Sequence, residues 1–170
     1  GAIWGYYRPE EIRVTATDGG SYCVDTTEVT RKQYTEFLAT SPTAASLPPS
    51  CAWNTSFNPS NNGGTDDRPI TYVDWCDAYA FCAWAGKRLC GKIGGGAVVT
   101  TTSAAESQWY NACSLGGARK YPYGNTLVSG ACATSSTSPV KSHRCCQGGF
   151  GGLFDMVGSA GEWEDGCEIQ

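Results

Sequence analysis

The sequence predicts an α+β domain, low in regular secondary structure and rich in disulfides. Three observations predict it. Ten cysteines and 22 glycines occur in 170 residues of which only 16% are charged. Three short helices and two short strands carry their own start and stop signals. Long polar loops separate them.

The first eleven residues hold Trp4, Tyr6 and Tyr7 ahead of Arg8-Pro9. These aromatics are expected to pack as an arm on the domain, with a contact surface for another chain as the competing reading. Ile12 to Thr15 and Ser21 to Val24 read as two strands joined by a Gly19-Gly20 turn. Thr30 and Gln33 fit a capping box, in which each side chain serves the other's free backbone N–H. Tyr34, Phe37 and Leu38 then share one helical face, and the helix should end near Thr40, before Pro42.

Residues 41–68 read as loop, because Pro48-Pro49, Asn58-Pro59, Asn61-Asn62-Gly63-Gly64 and Asp66-Asp67 all disfavour regular structure. A loop this long is usually functional or stapled. Cys51 and Trp53, a residue type that favours burial, point to stapling. Asn54-Thr55-Ser56 is a glycosylation sequon, meaningful in a eukaryotic secretory host.

Asp74 is placed to cap the next helix, and Asp77 suits its positive N-terminal end. Trp75, Ala78, Tyr79 and Cys82 make the expected apolar face, and Gly86 the stop. After Gly94-Gly95-Gly96, the run Ala97 to Thr101 is rich in strand-forming residues. Ser103 and Glu106 fit a capping box for a third helix, with Ala105, Trp109, Ala112 and Cys113 facing inward and Gly116-Gly117 ending it. Residues 129–138 form a small-residue loop. There is no internal repeat and no separable second domain.

Length supports one domain with a real core. A formal charge of −4 and a pI near 4.9 argue against a nucleic-acid surface. No apolar run approaches the roughly 18 residues needed to span a bilayer. The chain starts at Gly1 without a leader, as expected of a processed chain or of part of a longer product. An even, high cysteine count implies an oxidising compartment, secreted, extracellular or periplasmic, and a disulfide framework. Metal thiolates are the weaker reading, because there is no Cys-x-x-Cys pair and His143 is the single histidine. Cys145 and Cys146 are adjacent and are expected to pair with two different partners. His143 lies in a polar run and reads as a surface histidine. Lys87-Arg88 follows a helix end, where cations are favourable, and reads as structural.

Several motifs occur in a fixed order. They are Val24-Asp25-Thr26-Thr27-Glu28-Val29-Thr30 with Tyr34, then Trp75, Asp77-Ala78, Phe81-Cys82 and Trp84-Ala85-Gly86-Lys87-Arg88-Leu89. Glu106 and Trp109, Tyr121-Pro122-Tyr123-Gly124-Asn125, Gly152 to Gly158 and Glu162-Trp163 follow. In these motifs the chain resembles the formylglycine-generating enzyme, or sulfatase-modifying factor, family from about Tyr22 to Trp163. The resemblance implies an irregular formylglycine-generating-enzyme, C-type-lectin-like fold. It also implies that residues 1–170 are a single domain of this type lacking the family's C-terminal segment.

By the same resemblance, structural calcium would be held by the Asp155 side chain, the Gly158 and Ala160 carbonyls and the Glu162 side chain. Calcium takes six to eight oxygens, and a glycine-rich loop can aim carbonyls inward between carboxylates. The family oxidises a substrate cysteine with copper held by two cysteines of its C-terminal segment, and no cysteine here sits in the matching position. Cys82 and Cys113 match family cysteines whose disulfide partners also lie in that segment. A related iron-dependent branch needs two histidines and a carboxylate, which one histidine cannot supply. No catalytic residue is therefore assigned. The expected function is a secreted, calcium-binding module that acts as a binding or structural protein. The alternative is the N-terminal part of a copper-dependent oxidase acting on sulfatase cysteines. A protein partner or self-assembly is a further expectation, because an incomplete domain exposes sheet edges and apolar surface.

Overall fold

The computed structural model describes residues 9–61 and 63–166. The N-terminal aromatics Trp4, Tyr6 and Tyr7, and Cys167, lie outside the described residues.

Glu11–Thr15 (β1) and Ser21–Asp25 (β2) form a two-stranded antiparallel sheet with Arg13 opposite Cys23. The turn closes as expected: Ala16 N–H donates to the Gly20 carbonyl and Gly20 N–H to Asp18 Oδ1. Val14 is fully buried from β1 and belongs to a core cluster with Ala112, Cys113, Leu153 and Met156.

Arg31–Ala39 (α1) starts with the expected capping box, Thr30 Oγ1 accepting from Gln33 N–H while Gln33 Oε1 accepts from Thr30 N–H. Trp75–Trp84 (α2) is capped by Asp74, and Asp77 returns a second capping bond to the Asp74 N–H. Its buried face is Cys76, Asp77, Ala80 and Phe81, while the expected face of Trp75, Ala78, Tyr79 and Cys82 is only half-buried. The helix is apolar almost all round, so tertiary anchors choose its rotation. Those anchors are the Cys51–Cys76 disulfide and the bond from Asn54 Nδ2 to Asp77 Oδ1, at 2.8 Å.

Between α1 and α2 the chain makes two single 3-10 turns, Ala44–Ser46 and Pro49–Cys51, and is stapled at Cys51 as expected. Trp53 is not buried there; it is 63% exposed, because the staple holds the backbone and leaves the indole outside. Tyr34, Phe37, Phe57 and Phe81 form a second core cluster, with ring centroids 5.3–5.8 Å apart. The Tyr34 hydroxyl is satisfied by the Phe57 carbonyl at 2.8 Å.

The third helix, Gln108–Ser114 (α3), is capped by Ser107 rather than Ser103. Residues 103–106 are held as a turn by tertiary bonds: Ile93 N–H takes the Glu106 carbonyl and Gln108 N–H takes the Gly91 carbonyl. Ala105 is accordingly exposed. Residues 97–101 form no strand; Val98 makes one isolated bridge, to Gly166.

Residues 162–166 strap across both later helices. Trp163 Nε1 donates to the Val73 carbonyl, Trp75 Nε1 to the Glu164 carbonyl, and Ser107 Oγ to Glu164 Oε2. Asp165 N–H reaches the Cys90 carbonyl, and Val98 N–H reaches the Asp165 carbonyl.

Candidate functional site

A cleft of about 420 Å³ opens between β2, the C-terminal half of α2, the start of α3 and the loop 156–163. Each wall follows from the local sequence. β2 presents Tyr22, the short run after it presents Glu28, and α2 presents Phe81 and Cys82. Trp109 from α3 and the loop residues Met156, Ala160 and Glu162 close the far side.

The cations of the cleft are mostly answered. Lys87 forms ion pairs with Glu11, at 2.9 Å, and with Asp25, joining the hairpin to the end of α2. This agrees with the structural role expected for Lys87. Burial raises the Asp25 carboxyl above its usual range, against the pull of Lys87. Arg88 Nη1 donates to the Leu89 carbonyl.

Glu28 is different. It is 8% exposed, and neither carboxylate oxygen has a hydrogen-bond partner. Burial first, then the Glu162 and Asp155 charges, push its carboxyl up to about 8. The Ser159 hydroxyl is near enough to offset a small part of this without meeting hydrogen-bond geometry. Glu162 is open to solvent along the cleft yet walled by protein on its other sides. That desolvation, opposed by the hydrogen bond from Trp109 Nε1, pushes its carboxyl up to about 7.

The four residues expected around calcium share one loop but face different ways. Ala160 and Glu162 line the cleft. Gly158 and Ala160 line a shallow hollow beside it, with Thr134, Ser135 and Ser136. Asp155 is buried beneath, its Oδ2 accepting from Lys141 N–H at 2.7 Å. The loop is tightly wound, with φ of 60° at Asp155, 80° at Gly158 and 55° at Ser159. A Cβ at Gly158 would lie 1.9 Å from the Ala133 carbonyl oxygen, so only glycine fits that crossing. Among the described residues no three His, Cys, Asp or Glu side chains converge closely enough to hold an ion by themselves, so backbone oxygens would have to complete a shell. The donors of this loop are hard oxygens, the class that divalent cations take, but its carboxylates do not converge on one point.

Sequence reasoning did not single out Glu28 as a site residue. It sits in the quoted run Val24 to Thr30, but burial of its charge depends on the distant 155–162 loop. His143 stands outside the cleft, its Nε2 3.4 Å from Ser138 Oγ. The sequon residue Asn54 is 3% exposed, with its Nδ2 engaged by Asp77.

Among the described residues two disulfides are present, Cys51–Cys76 and Cys132–Cys146. Cys145 is an exposed free thiol, so the expectation that both adjacent cysteines pair is corrected: Cys146 is buried and takes Cys132, while Cys145 points outward. Cys23, Cys82, Cys90 and Cys113 are also free. Cys82, Cys90 and Cys113 are each pushed up to about 12, chiefly by burial. Among the described residues no helix is long and apolar enough to cross a membrane.

Comparison with known proteins adds the family. The chain is 31% identical over 117 residues to the formylglycine-generating enzyme of Bos taurus, covering 57% of this chain and 26% of that protein. It is 29% identical over 117 residues to the enzyme of the same name from Mus musculus, covering 57% and 27%. To that of Streptomyces coelicolor it is 31% identical over 119 residues, covering 59% and 32%. The chain thus spans about a quarter to a third of the length of these relatives. Residues 10–167 match the model of the sulfatase-modifying factor enzyme 1-like domain. With the capped helices and the aromatic motifs in place across that span, the chain belongs to the sulfatase-modifying factor family of domains.

Proposed function

We propose that this chain is a disulfide-stapled, calcium-stabilised binding or structural module of the formylglycine-generating-enzyme fold, C-type-lectin-like in its irregularity. It would work outside the reducing cytosol, and its own described thiols would perform no cysteine oxidation. The observation behind this reading is the state of three of the five free cysteines among the described residues, those with restricted access to solvent. Copper(I) is selected by thiolate ligands, and a thiolate is the reactive form. Cys82, Cys90 and Cys113 are held as neutral thiols far above physiological pH. The two disulfides support an oxidising compartment. Calcium would be held by Asp155, Gly158, Ala160 and Glu162 and would rigidify their loop.

The test is direct. The chain is incubated with copper, oxygen and a cysteine-containing sulfatase peptide, and the peptide mass is followed. No aldehyde product is expected. Conversion of the cysteine by this chain alone overturns the reading.

The second reading, part of a formylglycine-generating oxidase, draws on the names of the relatives and on the small share of each that the chain spans. Coding sequence beyond Gln170 that holds two suitably spaced cysteines after a Gly-Gly-Ser motif would favour it. In either reading the cleft, with its free thiols and apolar walls, is the surface a protein partner or a second copy would meet.

A further inference from the structure

We propose that the N-terminal segment, residues 1–8, covers the cleft of its own chain: Arg8 pairs with Glu28, and Trp4, Tyr6 and Tyr7 lie along the apolar walls. The segment is then an autoinhibitory cover that any partner entering the cleft must displace. No metal ion takes part in this pairing.

The hairpin sets the register. Glu11 stands opposite Asp25, and Thr26 N–H donates to the Glu10 carbonyl at 2.8 Å, so pairing runs on past the ends of β1 and β2. Continued by the same count, Pro9 comes opposite Thr27 and Arg8 opposite Glu28. Antiparallel ladder bonds fall at alternate pairs, here Ala16–Gly20 and Glu10–Thr26. Pro9 falls between bonded pairs, where no N–H is needed. Opposed residues share a face. By the two-residue period, Arg8 shares the face of Ile12 and Val14, which pack into the core. The chain bends at Thr26 and Thr27. Even so, Arg8 and Glu28 each lie two residues from the Glu10–Thr26 bond, a span of at most about 7 Å of chain.

Glu28 finds no cation among the described residues. It lines the cleft, is 8% exposed, and neither carboxylate oxygen has a partner. The charges acting on it are those of Glu162 and Asp155. Lys87 is held by Glu11 and Asp25, and Lys141 by Glu10. An arginine suits the vacancy, because its planar fork of donors matches a carboxylate and it keeps its charge when desolvated. Pro9 delivers the segment to this place: it is buried, and its carbonyl accepts from Nζ of the cleft residue Lys87 at 3.4 Å. The three aromatic rings then meet Val29, Ile70, Phe81 and Trp109 on the cleft walls.

The experiment reads access to the cleft in the full chain, through iodoacetamide alkylation of Cys82 and Cys90, which line it. Exposed Cys145 and buried Cys113, which lie outside the cleft lining, are the references. Arg8→Gln and Glu28→Gln should each speed alkylation of Cys82 at least about fivefold, with Cys113 and Cys145 unchanged. The double variant should be no faster than the faster single one, since both remove the same pair. Arg8→Lys should keep most of the protection.

Unchanged alkylation in Arg8→Gln overturns the proposal. So do effects that multiply in the double variant, which mean that Arg8 and Glu28 act apart. Faster alkylation of Cys113 as well as Cys82 means general loosening and also overturns it. Protection that is lost on dilution places the arm of a second copy in the cleft and overturns closure within one chain. Should Glu28→Gln not fold, the Arg8 variants decide: acceleration by Gln with protection kept by Lys supports the pairing, and equal rates in both overturn it.

Discussion

The aromatic core around α1 and α2 and the acidic loop at 155–162 are built on opposite terms. In the first, the aromatic rings and the helix starts find their partners within the chain. Tyr34, Phe37, Phe57 and Phe81 stack edge to face or in parallel, the Tyr34 hydroxyl has an acceptor, and both helices open on complete capping boxes. In the second, the backbone is forced through left-handed conformations, and Glu28 is left facing two other acids. One region stabilises the fold without help from outside. The other holds polar groups that the described residues do not satisfy, which is the usual condition of a site awaiting an occupant.

The comparison can be broken most severely in the aromatic region. Phe37→Ala removes a ring that touches four others and leaves a cavity, so it should lower unfolding free energy by about 3–5 kcal/mol in chemical denaturation. Calcium should not restore that loss. If it does, the two regions are not independent. Replacing both Cys51 and Cys76 by Ala releases the staple that ties the long loop to α2. The expected loss is about 3 kcal/mol, read in the same assay, since the bridge closes 25 residues. A variant as stable as the wild type would show that Asn54 and Asp77 hold the loop unaided.

The smallest effect at neutral pH concerns the thiols. Cys82, Cys90 and Cys113 rise from an ordinary value of 9.0 to about 12 in the folded chain. Tyr22, also raised by burial, rises from 10.0 to about 12. Between these limits the unfolded chain has released protons that the folded chain still holds. Stability should therefore be insensitive to these groups below pH 9.0 and fall progressively as pH rises toward 12. Iodoacetamide at pH 8 should modify Cys23 and Cys145, which are exposed, well before the half-buried Cys82 and Cys90, and should spare the buried Cys113 until the chain unfolds. Mass spectrometry of the native chain checks this, and rapid labelling of Cys82 or Cys90 would remove the argument against their chemistry.

Local signals explain why parts of this fold were legible in the sequence. The hairpin, α1 and the start of α2 depend on contacts within three or four residues: a turn at Gly19-Gly20, and the boxes Thr30–Gln33 and Asp74–Asp77. The start of α3 differs from the expected one because two serines, Ser103 and Ser107, offer equivalent caps. The choice is made by Gly91 and Ile93, which take hydrogen bonds from and to residues 106–108. The buried face of α2 differs from the expected one because nearly all of its residues are apolar and a distant cysteine sets its rotation. In the candidate site, Asp155 to Glu162 could be nominated from one contiguous motif. Glu28 could not, since its isolation from donors arises only when residues more than a hundred positions apart are brought together.

The bond between Asn54 and Asp77 has a consequence for how the chain is made. The amide nitrogen of Asn54 is the atom to which an oligosaccharide would be attached, and in the native molecule it is buried against the first turn of α2. Sugar transfer and native closure at this point are mutually exclusive. In a host with N-linked transfer machinery, every molecule modified at Asn54 would be denied its Asn54–Asp77 contact, so occupancy of that sequon becomes a clock that reports how quickly the Cys51 loop closes during synthesis.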